Sequence, residues 1–278
     1  MLKKLLILLL LVTATIHGMD QRLYKYPDAK NDYVKASKDK DQDSAFQLAL
    51  FYEMELNDSD KAIKWYKKAY EYGSSSGAYN LGNIYYNAKQ FKKAIKWYIK
   101  ADEKNDKKAS HAIGVMYEEI YKNNQKAIKW YKKAYEIGNS NSAINLGSLY
   151  DKQYKDYQKA TEWYQKAYEM GDMSGANSLG YLYDIVLKDI DKGIYWYTKG
   201  AKGGNAKAIN NLNKVYHEKG DKTKASAYAL AMINYGYTKK QVLDFLKNER
   251  KIDRKTLEKA YKLQQTLDIP KHYTGGID

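Results

Sequence analysis

Apolar residues recur along this chain at helical spacing, in two alternating patterns. The first is seen in residues 142–150, Ser-Ala-Ile-Asn-Leu-Gly-Ser-Leu-Tyr, where Leu146, Leu149 and Tyr150 share one stripe. The second is seen in residues 156–168, where Ala160, Trp163, Tyr164 and Ala167 stand at i, i+3, i+4 and i+7. A Gly or Asn closes the second pattern, as a left-handed residue just past a helix end requires. Each pair of patterns predicts a helix A, a turn and a helix B.

The pairs repeat. All five tryptophans sit in Trp-Tyr pairs, at Trp65, Trp97, Trp130, Trp163 and Trp196, separated by steps of 32, 33, 33 and 33 residues, and a sixth copy carries Tyr228 instead. Upstream runs a column of small residues, Ala49, Gly82, Gly114, Gly147, Gly180 and Asn213, each followed three residues later by a tyrosine. Downstream runs the closing column, Gly73, Asn105, Gly138, Gly171, Gly204 and Gly236. Three columns in one register across six copies define a repeat protein. A glycine inside helix A costs about 1 kcal/mol of helix propensity. Its expected return is close approach by the next helix B and its Trp, with the Trp-Tyr pairs in the inter-helix core.

Leu-Gly-x-x-Tyr followed by Lys-Ala-x-x-Trp-Tyr-x-Lys-Ala-x-x-x-Gly resembles the Sel1-like repeat, a relative of the tetratricopeptide repeat, over residues 44–236. The resemblance implies an all-α, right-handed α-solenoid of about six helix-turn-helix repeats with helical caps, serving protein–protein interaction and scaffolding. One departure is evident: the Gly-rich loop usual between the two helices is missing. Some exported Sel1-like proteins neutralise secreted toxins by occluding them, so an immunity-type antagonist is an alternative reading. Cysteine-rich relatives described as β-lactamases or penicillin binders supply another. This chain has no cysteine, and no enzyme activity is expected of it.

The flanks complete the plan. Residues 1–18 place Lys3 and Lys4 before an apolar run at 5–12 and a small-polar stretch, the order of a secretory signal. The run is far short of the roughly 20 residues a spanning helix needs. Export to the periplasm or beyond is the expectation. A capping helix is expected within 19–43, six repeats over 44–236, and a C-terminal helical cap over 237–269 built from stretches 239–248 and 253–265. Residues 270–278 carry Gly-Gly and no periodicity, which predicts a flexible tail.

Candidate chemistry is sparse. The four histidines, His17, His111, His217 and His272, show no metal-ligand spacing, and no nucleotide-binding, metalloprotease or triad motif is present. No catalytic residue, metal or cofactor is expected. Charge is more informative, because the formal +15 is patterned. Lysines stand four residues before each Trp position (Lys61, Lys93, Lys126, Lys159, Lys192, Lys224) and three after (Lys68, Lys100, Lys133, Lys166, Lys199). Seven residues is two turns, so both columns ridge the same outer face. Helix A instead carries Glu53, Tyr86, Glu118, Asp151, Asp184 and His217 four residues past its small position. Two before it stand Gln47, Asn80, Ala112, Asn145, Ser178 and Asn211.

With helix A on the concave side, these columns predict an acidic, carboxamide-rich groove of roughly 50–60 Å. Asn80, Asn145 and Asn211 are the candidates for pairing with a peptide backbone, and Glu118, Asp151 and Asp184 for holding Lys or Arg side chains. The expected partner is a protein or extended peptide. Nucleic acid is not expected, given the export pattern, only three arginines and no exposed aromatic–basic interleaving. The lysine ridges are expected to keep the chain soluble and to give weak, salt-screened contact with an anionic envelope surface.

Overall fold

Helix B starts, repeat after repeat, at a polar side chain that caps it. Asp58, Asn123, Asp156, Asp189 and Asp221 accept the backbone N–H of Lys61, Lys126, Lys159, Lys192 and Lys224, which satisfies an otherwise orphaned helix donor. The residue before each cap is left-handed: Asn57, Lys89, Lys122, Lys155, Lys188 and Gly220 have φ between 48 and 78°. That single residue replaces the missing Gly-rich loop. At the far end of helix B the whole closing column, from Gly73 to Gly236, has positive φ, as its composition predicts.

The computed structural model describes residues 18–277. The expected signal therefore lies outside the described residues, apart from Gly18. A 3-10 turn, Gln21–Lys25, leads into α1 (Pro27–Lys38). Repeat 1 pairs α2 (Gln42–Met54) with α3 (Ser59–Glu71), and repeat 2 pairs α4 (Ser75–Asn87) with α5 (Phe91–Asp102). Repeats 3 and 4 pair α6 (Ala109–Val115) with α7 (Asn124–Glu136) and α8 (Ser140–Leu149) with α9 (Tyr157–Glu169). Repeats 5 and 6 pair α10 (Met173–Tyr181) with α11 (Ile190–Lys202) and α12 (Ala206–Glu218) with α13 (Lys222–Ala231). Two further helices close the chain, α14 (Lys239–Asp244) and α15 (Arg254–Gln264). No strand occurs among the described residues. The fold is all-α, and it divides into two halves, Met1–Ile137 and Gly138–Asp278, each holding three repeats.

Repeats 3, 4 and 5 end helix A in a π turn, at Met116–Ile120, Tyr150–Tyr154 and Leu182–Val186. In repeats 2 and 6 helix A stays α-helical to its end, and the stretch to helix B is one residue shorter. The π turn absorbs the extra residue without disturbing the joint. In all six repeats one carbonyl, on Tyr52, Tyr85, Tyr117, Tyr150, Tyr183 or Tyr216, accepts the N–H of the residue that caps helix B.

The core corrects one expectation. The glycine column faces the tyrosine of each Trp-Tyr pair, not the tryptophan. A Cβ on Gly82, Gly114, Gly147 or Gly180 would lie 2.3–2.5 Å from the ring of Tyr98, Tyr131, Tyr164 or Tyr197. These tyrosines and Tyr66 are 0–5% exposed, while Trp65 and Trp163 are buried at 4% and 9% and Trp97, Trp130 and Trp196 stay half-buried. A tyrosine ring is narrow enough to lie on bare helix backbone, and its hydroxyl reaches the polar edge of helix A. The bulkier indole is left at the seam between successive B helices, where Trp97 meets Tyr70 and Trp196 meets Tyr168 edge-on.

Each half also has its own tie. In the first, Asp20 takes Lys61 and Arg22, and Arg22 bridges on to Asp58. The Arg22 guanidinium holds the Asp20 carboxyl well below the usual range. Deeper in that half, Asp102 is 6% exposed and accepts from Ser110 and from Lys133 at 2.5 Å. In the second half residues 270–277, part of the stretch expected to be a flexible tail, pack back on the fold. Gln264 donates to the Tyr273 carbonyl and accepts the Tyr273 N–H at 3.2 Å, and Tyr273 and Ile277 are buried. Two apolar side chains and one amide clamp outweigh the lack of periodicity there.

Loss of the ring beneath the glycine column should therefore exceed loss of the indole beside it. Tyr131→Ala is expected to cost about 3–5 kcal/mol, as for a large core aromatic. Trp130→Ala is expected to cost clearly less. Urea midpoints at unchanged slope measure both, and the reverse order would return the tryptophan to the core.

Candidate functional site

The polar columns of helix A meet different fates in the two halves. In the first, both named candidates are engaged from below by the buried tyrosines. Asn80 donates to the Tyr66 hydroxyl at 3.1 Å, and Tyr66 in turn donates to Glu53 at 2.6 Å. Glu118 accepts from the Tyr131 hydroxyl at 2.7 Å. His111 lies against the Tyr131 ring, 5.6 Å between centroids, and burial pushes its imidazole below the usual pKa. These side chains brace the hairpin.

In the second half aspartate replaces glutamate, and one methylene changes the outcome. Asp184 receives the Tyr197 hydroxyl only at 3.4 Å. Asp151 receives none: no hydrogen-bond donor among the described residues reaches it, although it is only 5% exposed. Burial pushes the phenol of Tyr164, the ring beneath it, up, and the Asp151 charge adds to the rise. Asp151 and Asn145 line a cavity of about 320 Å³ between helix A of repeats 4 and 5. Its remaining wall is Ile144, Ser148, Lys152, Tyr164, Asn177, Ser178 and Tyr181. Asn211 donates to Asn177 at 3.0 Å and so extends the same polar face into repeat 6. The structure thus gathers Asn145, Asp151 and, through Asn177, Asn211. Asp184 stands in the same column, 7% exposed.

The lysine ridges are not bare charge. The upstream lysine column, Lys61, Lys93, Lys126, Lys159, Lys192 and Lys224, lies 4.9–5.6 Å from the ring of the helix-A tyrosine before it in all six repeats. Lys68, Lys100, Lys133 and Lys166 lie 4.1–5.3 Å from Trp65, Trp97, Trp130 and Trp163. Placement of lysines over buried or half-buried rings is therefore a regular feature of these helices. It arises because the lysine stem runs back along helix B over the aromatic at i−3, or over helix A across the joint. Sequence reading placed the columns but not the rings beneath them. Among the described residues no cluster of three or more His, Asp or Glu is arranged to hold a metal ion.

Family models recognise these hairpins individually. The Sel1 repeat matches residues 108–139, 140–172 and 174–205, and the tetratricopeptide repeat matches residues 42–72 and 76–105. The chain belongs to the Sel1-like repeat proteins. Its Sel1-matching repeats are the three that carry the π turn, so the family boundary within the chain follows a difference in backbone. Proteins of this class generally act as non-enzymatic scaffolds for protein–protein interaction.

Solved structures place this Sel1-like chain in the same fold. A protective antigen of uropathogenic Escherichia coli with an SLR fold is 25% identical, with a TM-score of 0.64 over 86% of this chain and 56% of that one. This chain thus spans a little over half the length of that relative. A Sel1 repeat protein from Oxalobacter formigenes is 27% identical, with a TM-score of 0.57 over 74% of this chain and 94% of that one. The pilF protein of Pseudomonas aeruginosa, at 21% identity and a TM-score of 0.54 over 75% and 98%, shares the fold. No curated protein matches by sequence.

Asp184 yields a test of whether this face is maintained at the expense of stability. Burial raises its pKa above the usual 3.8, with Glu218 adding to the rise. The folded chain therefore holds that proton more tightly than the unfolded chain does. Its ionised form costs stability at neutral pH, and the cost fades as pH falls below the unfolded value. Asp184→Asn should raise the thermal midpoint at pH 7 and leave it unchanged near pH 3. Melts at the two pH values check the sign.

Proposed function

We propose that this Sel1-like protein is an exported scaffold that captures an extended segment of a partner protein on its helix-A face. The observation that carries the reading is the polar cavity at Asn145 and Asp151, where a buried carboxylate has no donor of its own. Carboxamides along the face, Asn145, Asn177 and Asn211, suit a peptide backbone of any sequence. The carboxylates suit a basic side chain. Asn80 and Glu118 contribute in the first half as secondary positions, since their side chains already serve tyrosines. Export rests on the signal-like order of residues 1–18.

Charge reversal tests the face. Asp151→Lys combined with Asp184→Lys should abolish affinity capture of the partner from an envelope fraction and leave the circular dichroism spectrum unchanged. Capture that survives the double change sinks the assignment.

The lysine–aromatic ladders serve a different purpose in this reading, a weak contact with anionic surfaces. Each exposed cation–π contact contributes about 0.5–1 kcal/mol to holding a lysine in place. A fixed row of cations then attracts anionic lipid within a screening length of about 8–10 Å. Lys61, Lys133, Lys159, Lys192 and Lys224 contribute less, since each is ion-paired with an aspartate. Lys100→Gln with Lys166→Gln should weaken low-salt binding to phosphatidylserine-containing vesicles and leave partner capture intact. Loss of capture with vesicle binding unchanged would reverse the two faces.

A further inference from the structure

The second half holds two cavities at corresponding places in the repeat, and they differ in chemistry. The first is the one at Asp151, between helix A of repeats 4 and 5, floored by Tyr164. The second, about 250 Å³, lies where repeat 6 meets α14, and is lined by Asn210, Asn213, Ala229, Met232, Tyr237, Gln241, Val242 and Phe245. Register shows why it exists. Ala229 occupies the position held by the buried tyrosine in the five repeats before it, next to Tyr228 in the tryptophan position. With the ring gone, the glycine beneath it is no longer needed, and Asn213 stands there, donating to the Ala225 carbonyl at 2.7 Å. The space a tyrosine fills elsewhere is left open, walled by Val242, Phe245 and Met232. An apolar cavity of about 150 Å³ already accommodates a benzene ring.

We infer that the two cavities act together as anchor pockets for one extended partner segment, an arginine or lysine entering at Asp151 and an aromatic side chain at Ala229. This deepens the scaffold reading and rests on it. Charge complementarity selects the first occupant. Asp151 is only 5% exposed as a residue, and its carboxylate, bordering the cavity with no hydrogen bond from a neighbouring side chain, complements a cationic one. Shape selects the second, because the vacancy is that of the chain's own recurrent aromatic ring, with the carboxamide of Asn210 at hand for a phenolic hydroxyl. The pockets are two repeats apart along successive A helices, about 20 Å at the usual helix spacing, which an extended chain spans in about six residues. The carboxamides of Asn177 and Asn211 lie between the two and meet the backbone of the intervening residues.

Synthetic peptides test the spacing and the pockets. The probes carry arginine and tyrosine about six positions apart in a Gly/Ser background, in both chain directions, and binding is read by calorimetry. One direction should bind about tenfold or more tighter than its norleucine-for-arginine or alanine-for-tyrosine versions. Asp151→Asn should erase the advantage of arginine and leave that of tyrosine. The pair Asn213→Gly with Ala229→Tyr, which rebuilds the arrangement of the other repeats, should erase the advantage of tyrosine alone. Gln241→Trp, at the mouth of the same pocket, gives a second reading should that pair fail to fold. Equal binding of all peptides, or advantages that persist in these variants, overturns the two-pocket inference. Should capture from the envelope fraction still depend on Asp151 and Asp184 in that case, the scaffold reading stands without it. Should capture ignore those residues while the peptides discriminate, the pockets stand and the scaffold assignment falls.

Discussion

A tyrosine ring lying on helix backbone with no Cβ in its way is the contact on which this fold depends. It fixes three things at once in repeats 2 to 5. The glycine sets how closely helix A and helix B approach. The ring fills the gap so completely that its face is withdrawn from water. The hydroxyl emerges at the polar edge of helix A, where it needs an acceptor, and a carboxylate or carboxamide supplies one in repeats 1, 2 and 3. A buried phenol without such an acceptor is costly, so the polar column of helix A is in the first instance a structural requirement of the aromatic column beneath it.

That dependence also shows where the column departs from its structural role. In repeat 4 the shorter aspartate accepts no hydrogen bond from the tyrosine beneath it and borders a cavity. In repeat 5 the contact persists at the limit of hydrogen-bonding distance. In repeat 6 the ring itself is deleted and a cavity takes its place. The column reads Glu53, Tyr86, Glu118, Asp151, Asp184 and His217 along the chain, and the ring beneath it is lost only in the last repeat. A repeat array makes such divergence tolerable, because each repeat answers mainly to its neighbours.

Most of the architecture was legible in the sequence because repetition turns weak signals into columns. Helix ends could be read from the Gly/Asn column, and all six of those residues proved left-handed. Which aromatic of the pair is buried was not legible, because Trp and Tyr are adjacent and both fall within the apolar arc of a helix 100° per residue in pitch. Only the geometry of the glycine decides it. The docked residues near the chain end were invisible for a different reason: Tyr273 is held by the side-chain amides of Gln264 and Gln265 and Ile277 by apolar packing, not by any periodic pattern. At the candidate site the columns placed these polar residues on helix A, as the structure has them. They did not separate Glu118, engaged by a tyrosine, from Asp151, free of one, since that difference is a single methylene measured against a ring thirteen residues further on. The signal that was present and unread is the joint change at Asn213 and Ala229, where two columns break in the same repeat.

The two faces of each hairpin are thereby coupled through one aromatic layer. On the helix-B side, lysines stay ordered because tyrosine and tryptophan rings lie beneath them. On the helix-A side, carboxylates are positioned because tyrosine hydroxyls rise among them. Thirty tyrosines in one chain are thus neither a surface ornament nor simple core filling. They are the only common side chain with an apolar face wide enough to seal a helix pair and a polar tip able to address the opposite surface. Phenylalanine in their place would keep the seal and strand the carboxylates. Tryptophan would demand more room than a glycine provides. The composition of the protein follows from that constraint, and so does the identity of the few positions where the constraint has been relaxed.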